Sequence, residues 1–253
     1  MKYLILTFFL VWTLPGNIRA SLIASGGASW GSSQQDADRL TTNVRDGKGL
    51  VLGGNLDPDT PANYTLDATA DGNTGFGQNT AWSAHLNNLP VDELYLIIDL
   101  GQDYLLDSMN VFNFTVSTTP NNRTNRGVNQ ADIYYRTNAA GPGNNSNTTP
   151  FATGPYEVFD STGWTLSGTA GSQTFTESIA AGTSIAPDSV LLNGVQARYI
   201  AFDINSSHGS STLVGFAELQ FFGTAIPEPS TLLLFTGGLA GLYFTRRRAH
   251  PAP

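Results

Sequence analysis

Carboxylates are the main candidates for chemistry in this sequence, because it contains 20 aspartates and glutamates but only three histidines and no cysteine. A glycosidase needs two such groups about 5–10 Å apart across a cleft. With this many acidic residues, two carboxylates can lie at such a distance by chance, and no motif selects one pair. The sequence also lacks a Gly-x-Ser-x-Gly nucleophile elbow and the Walker and Rossmann glycine signatures. We therefore predict that the chain is not an enzyme, with a glycan-degrading enzyme kept as an alternative.

The absence of cysteine and the charge balance exclude further classes. Without cysteine there are no disulfides, thiolate metal sites or cysteine nucleophiles. Residues 21–229 carry 7 basic and 20 acidic residues, which gives a formal net charge of −13. Nucleic acids and anionic membranes bind basic surfaces, so neither is an expected partner of this region. A neutral or cationic partner, or one bridged by a divalent metal, fits this charge.

The N-terminal end is typical of a secretory signal peptide, predicted over residues 1–20. Lys2 precedes a short apolar stretch, and Pro15-Gly16 ends that stretch. Ala20 and Ala24 both offer the small residue that a cleavage point needs, and the sequence does not choose between them. An exported protein is therefore predicted. An uncleaved N-terminal anchor is the alternative, and it is weaker because the apolar region is short and ends at helix breakers.

Three signals follow one another in the C-terminal segment, residues 225–253. The residues Pro227, Glu228 and Pro229 come first, an uncharged apolar stretch predicted as a helix occupies 230–244, and the basic cluster 246–248 consists of Arg246, Arg247 and Arg248. Arginines that follow an apolar stretch remain on the cytoplasmic side. The stretch has 15 residues, fewer than the ~20 of a full membrane span. An ordinary C-terminal anchor is the alternative interpretation.

This C-terminal arrangement resembles the PEP-CTERM sorting tail of Gram-negative bacteria that make exopolysaccharide. The resemblance implies a partner, the membrane enzyme exosortase, which cleaves near the Pro-Glu-Pro motif. It also implies that the tail occupies the inner membrane transiently. The implied destination is the cell surface or the extracellular matrix, with the bulk of the chain facing outward.

Between the two ends, short apolar or alternating segments recur between turn signals and predict an all-β fold. Such spacing, with few helical runs, favours an antiparallel sandwich or jelly roll. Short edge strands are also predicted at Leu50–Leu52 and Tyr64–Leu66, within an N-terminal segment of residues 21–66. The main predicted strands are Leu94–Leu100, Ser108–Phe114, Ala131–Thr137, Gly163–Leu166, Ser172–Glu177, Arg198–Ile204 and Phe216–Phe222.

Several of these segments resemble discoidin domains (F5/8 type C), which have a galactose-binding-like jelly-roll fold. The resemblance covers residues 67–224 and implies a β-sandwich there. It does not include the cystine that joins the termini in many animal members. The segments that carry it are Ala70-Asp-Gly-Asn73, Thr80-Ala-Trp-Ser83, Leu96-Ile-Ile-Asp-Leu-Gly101, Ala131-Asp-Ile-Tyr-Tyr135, Gly163-Trp-Thr165, Ala197-Arg-Tyr-Ile-Ala-Phe202 and Phe216-Ala-Glu-Leu-Gln-Phe-Phe-Gly223.

The discoidin resemblance implies a structural calcium ion, because many bacterial relatives hold one between an equivalent loop and a glutamate of the closing strand. Calcium takes six to eight oxygen ligands, both carboxylate and carbonyl. On residue types alone, without the resemblance, the Asp-Gly-Asn segment is a plain turn signal. The implied ligands in this chain are Ala70, Asp71, Asn73, Thr80, Ala217 and Glu218.

In that family, ligands bind among the loops at one end of the sandwich. The candidates here are Phe76, Arg123, Arg126 and His208, which combine an aromatic face with planar polar groups. The arginines are notable because basic residues are scarce in this acidic region. For each of these residues, a solvated loop is the alternative explanation.

Three large or charged residues are interpreted as structural. Trp82 and Trp164 are predicted to lie in the core, because a large aromatic ring beside a strand is usually buried. Asp99 lies in an apolar strand and is predicted to be a buried, hydrogen-bonded carboxylate.

Three hypotheses about function follow. The first is a surface or matrix protein whose discoidin-like module binds extracellular polysaccharide. The second is a structural matrix component that contacts other proteins and has no specific glycan. The third is the glycan-degrading enzyme already mentioned.

Overall fold

The structure is a computed structural model with side chains. It describes residues 20–23, 29–31, 44, 50–52, 58–67, 82–85, 93–114, 124–141, 158–168, 173–178, 184–211 and 213–227.

The described residues are organised as β-strands and short 3₁₀ turns, with no α-helix among them. The turns lie at Pro61–Asn63, Thr124–Arg126 and Asn138–Ala140. The strands in these ranges are β1 (Ser21–Leu22), β2 (Ser29–Gly31), β3 (Leu50–Leu52), β4 (Tyr64–Asp67), β5 (Trp82–His85), β6 (Leu94–Asn113), β7 (Val128–Arg136), β8 (Thr165–Leu166), β9 (Gln173–Thr174), β10 (Ser184–Ile185), β11 (Asp188–Ser207) and β12 (Leu213–Ala225).

One large antiparallel sheet contains most of these strands, in the order β1-β12-β6-β11-β7-β8. β2 adds to β6, β5 adds to β12 and β9 adds to β7. The remaining strands form a smaller sheet in the order β10-β4-β3. Each of the seven main predicted strands overlaps an observed strand, and the predicted all-β antiparallel fold is confirmed.

The large sheet folds back on itself to make two layers. Phe202 pairs with Leu96 of β6, whereas Phe216 pairs with Asn113, 17 residues further along the same strand. In a flat sheet this separation corresponds to about 56 Å. The rings of Phe202 and Phe216 are nevertheless only 5.1 Å apart between centroids. The two halves of β6 therefore belong to opposite layers of a β-sandwich, with these rings between them.

The folding points of the long strands coincide with residues in left-handed backbone conformations. Gly101 has φ of 88° in β6, and Asn193 and Gly194 have φ of 53° and 76° in β11. The β11–β6 register shifts between Leu191 and Val195 and again after Ala197. Bulges of this kind bend a sheet without breaking it. They explain why the two strands predicted at Leu94–Leu100 and Ser108–Phe114 form the single strand β6.

Both faces of the first half of β6 are buried, which explains its continuous apolar sequence. Leu96 and Ile98 contribute to the main core together with Trp82, which is 0% exposed. Tyr95 and Ile97 face the other way and belong to an outer aromatic cluster, which also contains Phe159, Trp164, Tyr199 and Ala201. The predicted burial of both tryptophans is confirmed, although Trp164 lies outside the main core.

The smaller sheet packs on the outer face of the layer that contains the second half of β6 and β12. Tyr64 of β4 packs with Phe112 and Phe222 in a third cluster. The Asn110 side-chain amide donates to the Pro61 carbonyl over 2.8 Å, just before β4 begins. β3 and β4 were predicted as edge strands, and they pair with each other in this smaller sheet.

Both ends of the described domain lie at the same end of the sandwich. Ser21 pairs with Gly223 near the end of β12. The next residue beyond that strand, Ile226, donates its amide to the Asp103 carbonyl over 2.9 Å. The other end of β12, at Leu213, carries the loops described next. We call these the terminal end and the loop end of the sandwich.

Candidate functional site

Two loops at the loop end are hydrogen-bonded to each other, and each contains one predicted ligand residue. The first is the 3₁₀ turn and following glycine, residues 124–127, which include Arg126. The second, residues 207–210, follows β11 and includes His208. The His208 amide donates to the Gly127 carbonyl, and the Ser210 amide donates to the Asn125 carbonyl, both over 3.0 Å. The structure thus places Arg126 and His208 on neighbouring, hydrogen-bonded loops.

The first loop is fixed by close packing around Gly127. A Cβ atom at this position would lie 2.6 Å from Asn113 Oδ1, so only glycine fits. Asn113 is itself held in place, because its Nδ2 donates to the carbonyls of Val128 and Thr176 over 2.7 and 2.9 Å. Thr124 Oγ1 donates to Glu177 Oε1 over 2.7 Å. The loop therefore has a defined position relative to the ends of β6, β7 and β9.

The second loop is a tight turn closed by serine hydroxyl groups. Ser207 Oγ donates to the Ser210 carbonyl over 2.9 Å and accepts the Gly209 amide over 3.3 Å. Gly209 has φ of 113°, a conformation that favours glycine. Ser210 Oγ then accepts the Leu213 amide over 3.1 Å, where β12 begins. These bonds pre-form the loop that presents His208.

The His208 imidazole has an unsatisfied polar atom at this site. Its Nε2 is buried and has no hydrogen-bond partner among the described residues. Leaving a buried polar atom unpaired costs about 1–3 kcal/mol. Arg126 next to it is half-buried. The other two predicted ligand residues, Phe76 and Arg123, lie outside the described residues.

The closing-strand part of the implied calcium site is well defined. The β12–β6 register shifts between Phe216 and Glu218, so that Ala217 is the extra residue of a β-bulge. Glu218 pairs with Phe112 and is only 2% exposed, and Ala217 is 4% exposed. The buried Glu218 carboxylate and the Ala217 carbonyl, which lies where the bulge interrupts the ladder, are both suitable oxygen donors for calcium.

The loop part of the implied calcium site, Ala70, Asp71, Asn73 and Thr80, lies outside the described residues. Its attachment points are described. The preceding strand ends at Asp67, and the following strand begins at Trp82, which pairs with Phe216. The loop therefore returns to the sheet two residues from Glu218 along β12.

A cavity that the sequence did not predict lies beside the first loop. It has a volume of about 250 Å³ and opens between the end of β6, residues 176–178 and the start of β11. Asp188 contributes to its wall, and its two carboxylate oxygens accept the Thr176 amide and hydroxyl over 2.6 and 2.8 Å. No local sequence signal reveals this cavity, because one wall comes from residues 111–113 and the others from residues 176–188, more than sixty residues further along the chain. The lining residues are Val111, Asn113, Thr176, Glu177, Ser178, Ala186, Pro187 and Asp188.

At the terminal end, an ion pair between Arg198 and Asp99 stabilises the fold. Arg198 donates from Nε and Nη2 to the two oxygens of Asp99 over 2.6 and 2.8 Å, and the Gly101 amide donates to Asp99 Oδ1 over 2.7 Å. The Arg198 pKa is raised, mainly by its hydrogen bond to Asp99. Asp99 is 6% exposed. The prediction of a buried, hydrogen-bonded carboxylate is confirmed.

Two tyrosines have altered acidity: Tyr199 in the outer aromatic cluster, and Tyr134, which packs against that cluster. Burial raises the pKa of Tyr134, and the nearby carboxylates Asp132 and Asp203 raise it further. Burial also raises the pKa of Tyr199, and Asp99 adds to this effect. Both phenols are therefore held in the neutral form more strongly than a free tyrosine.

The predicted sorting motif begins directly after the folded domain. Ile226 is tied to the sheet by its bond to Asp103, and Pro227 is exposed. Glu228, Pro229, the stretch 230–244 and Arg246, Arg247 and Arg248 lie outside the described residues. Among the described residues, no helix is long and apolar enough to cross a membrane.

Comparison with known protein families identifies the C-terminal segment. Residues 225–248 match the family described as the PEP-CTERM protein-sorting motif. The resemblance predicted from the sequence is thereby confirmed, and the motif marks the chain as an exported protein. No curated protein shows significant similarity to the chain.

Several solved structures are similar to this chain. They include the family 32 carbohydrate-binding module of NanJ from C. perfringens, solved with galactose (14% identity, TM-score 0.45, covering 80% of this chain and 98% of that one). An F5/8 type C domain from Bacteroides fragilis has 12% identity and a TM-score of 0.46, covering 82% and 99%. Chitosan-binding module 1 of a chitosanase/glucanase from Paenibacillus sp. IK-5 has 12% identity and a TM-score of 0.42, covering 80% and 98%.

The F5/8 type C domains expected from the sequence are thus among the similar structures. The β-sandwich itself follows from the strand pairing and the contacts between the rings of its two layers.

Proposed function

We propose that this chain is an exported protein of the cell surface or extracellular matrix of a Gram-negative bacterium, and that its sandwich binds extracellular polysaccharide at the loop end. Exosortase processes its C-terminal tail. The observation that carries the proposal is the pairing of the loops of Arg126 and His208 at the end opposite to both termini. A tail at one end leaves the paired loops accessible at the other.

The chemistry of the loops supports a sugar ligand. Guanidinium and imidazole groups donate hydrogen bonds in fixed planes, which suits the hydroxyl groups of a sugar ring. His208 Nε2 is buried without a partner among the described residues, so a ligand hydroxyl would satisfy it once the side chain turned to expose it. The net charge of −13 over residues 21–229 favours a neutral or cationic polysaccharide over a polyanion.

A binding experiment with the mature chain tests this proposal. Glycan arrays and exopolysaccharide pull-downs are run with the wild type and with Arg126→Ala and His208→Ala. Each substitution is expected to weaken binding about tenfold, the effect of losing one good hydrogen bond. Gln102→Ala, at the terminal end, is the control and is expected to bind normally. Failure of the wild type to bind any glycan would favour a structural matrix role.

We also propose that the domain holds a structural calcium ion through Glu218, the Ala217 carbonyl and the loop that contains Ala70, Asp71, Asn73 and Thr80. Ligand binding to the folded state alone stabilises it, by about 2.7 kcal/mol at a hundred times the Kd. For a domain of this size, that is a rise in melting temperature of roughly 5–10 °C.

The calcium proposal is tested by thermal melts with calcium and with chelator. The wild type is expected to melt at a higher temperature with calcium, and Glu218→Gln is expected to lose most of this difference. Thr224→Ala, in the same strand as Glu218, is the control and is expected to keep the difference. An unchanged wild-type melt after chelation would rule out the ion.

A further inference from the structure

The short strand β1 is an integral part of the large sheet. Residues 21–23 run antiparallel to residues 221–223 of β12 through two paired positions, and the Ile23 amide continues the ladder to the Phe221 carbonyl over 2.8 Å. On this side of β12, β1 and β5 are the two strands that cover its edge among the described residues. An uncovered edge presents unpaired amides and carbonyls to other chains.

The side chains of residues 21–23 also pack on both faces of the sheet. Ile23 is 6% exposed and belongs to the main core. Leu22 points to the opposite face and packs against the cluster of Tyr64, Phe112 and Phe222. Its amide donates to Asp59 Oδ1 over 3.0 Å, which ties β1 to the segment before β4. This alternation is that of an ordinary half-buried strand.

We infer that the export signal is removed after Ala20, so that the mature chain begins at Ser21. The sequence offers Ala20 and Ala24 equally, but the fold does not. A cut after Ala24 would remove β1, take Ile23 out of the core and uncover residues 221–223 of β12. Of the residues that the structure describes, a cut after Ala20 removes only Ala20 itself, which is part-exposed and packs beside the cluster of Tyr64.

The inferred start also places the new N-terminus beside the sorting motif. Ser21 lies opposite Gly223, four residues before Pro227. Both processing points are therefore on the terminal end of the sandwich, and both leave the strands of the large sheet intact. The inference rests on the export that the proposed function includes, and its test separates the two.

The test is the N-terminal sequence and intact mass of the processed protein, made from the full-length precursor in a Gram-negative host. A start at Ser21 is the expected result. A start at Ser25 or beyond would overturn the inference and leave export intact. Retention of Met1 would overturn signal cleavage, and finding that product inside the cell would overturn export as well.

Two matched variants of the full-length precursor complete the test. Ala20→Lys removes the small residue that cleavage there requires, and at least a tenfold loss of the product starting at Ser21 is expected. Ala24→Lys is expected to leave that product unchanged. The reverse pattern would contradict the inference. If Ala20→Lys diverts cleavage to Ala24, the shortened product is expected to melt several degrees lower than the wild type, and an equal melting temperature would count against a structural need for β1.

Discussion

At the scale of single residues, the ion pair between Arg198 and Asp99 gives the sharpest prediction about stability. Asp99 lies in a buried strand and depends on the two guanidinium donors as well as the Gly101 amide. Arg198→Met is expected to destabilise the fold by about 2–3 kcal/mol. This is less than the ~3–5 kcal/mol for breaking a fully buried pair, because the Arg198 side chain is 25% exposed.

Urea unfolding of Arg198→Met and Arg198→Lys checks this prediction. Lysine keeps the charge but cannot donate in the two-pronged geometry of the guanidinium group. Arg198→Lys is therefore expected to fall between the wild type and Arg198→Met. Equal stability of all three proteins would show that the pair contributes nothing net.

The raised pKa values of Tyr134 and Tyr199 predict a loss of stability in alkali. Folding favours the neutral phenols, so their contribution is fully present below the ordinary tyrosine pKa of about 10. It is lost as the pH rises through the higher pKa of the folded state. Tyr134→Phe cannot ionise, so its melting temperature is expected to fall less steeply as the pH rises above the ordinary tyrosine pKa of about 10. An identical fall in the variant and the wild type would contradict this assignment.

At the scale of elements, the contact between β12 and β6 depends on a missing side chain. A Cβ atom on Gly223 would lie 2.5 Å from the Leu105 carbonyl oxygen, which is backbone and cannot rotate away. Gly223→Ala is therefore expected to cost about 2 kcal/mol or more, through displacement of the strand. The neighbouring Thr224→Ala is expected to stay within about 0.5 kcal/mol of the wild type. Chemical denaturation of both variants distinguishes a strand-specific effect from general sensitivity of this edge.

The strands show which part of the fold the sequence determines locally. Continuous apolar residues identify the buried half of β6, and alternation identifies β7. The pairing of Ser21 with Gly223 has no local signature, because the partners are 202 residues apart and β1 has only two residues. The same reason explains why β2 and β5 were not predicted.

In the candidate site, too, the sequence indicates single residues but not the contacts between distant segments. The family resemblance drew attention to Arg126, His208 and Glu218, and the scarcity of basic residues added weight to Arg126. Sequence alone does not show that the loops of Arg126 and His208 are hydrogen-bonded to each other, or that Ala217 forms a bulge. The cavity beside Asp188 was missed altogether, since its walls meet only after the sheet has folded back.

At the scale of the whole molecule, the positions of the ends give the domain a direction. Both termini leave the terminal end, and the paired loops lie at the other end of β12. While the precursor is held in the inner membrane by its tail, the proposed function requires the loop end to face away from the membrane. Asn125 is exposed at the loop end, and Ala139 is exposed near Asp103 at the terminal end.

The absence of cysteine makes this orientation measurable with Asn125→Cys and Ala139→Cys. A bulky, membrane-impermeant maleimide is applied to spheroplasts that carry the uncleaved precursor. Asn125→Cys is expected to react several-fold faster than Ala139→Cys, because the membrane and the tail shield the terminal end. In the purified mature chain, the two cysteines are expected to react at similar rates, since both positions are exposed. Equal rates in spheroplasts as well would mean that the domain is not oriented by its tail.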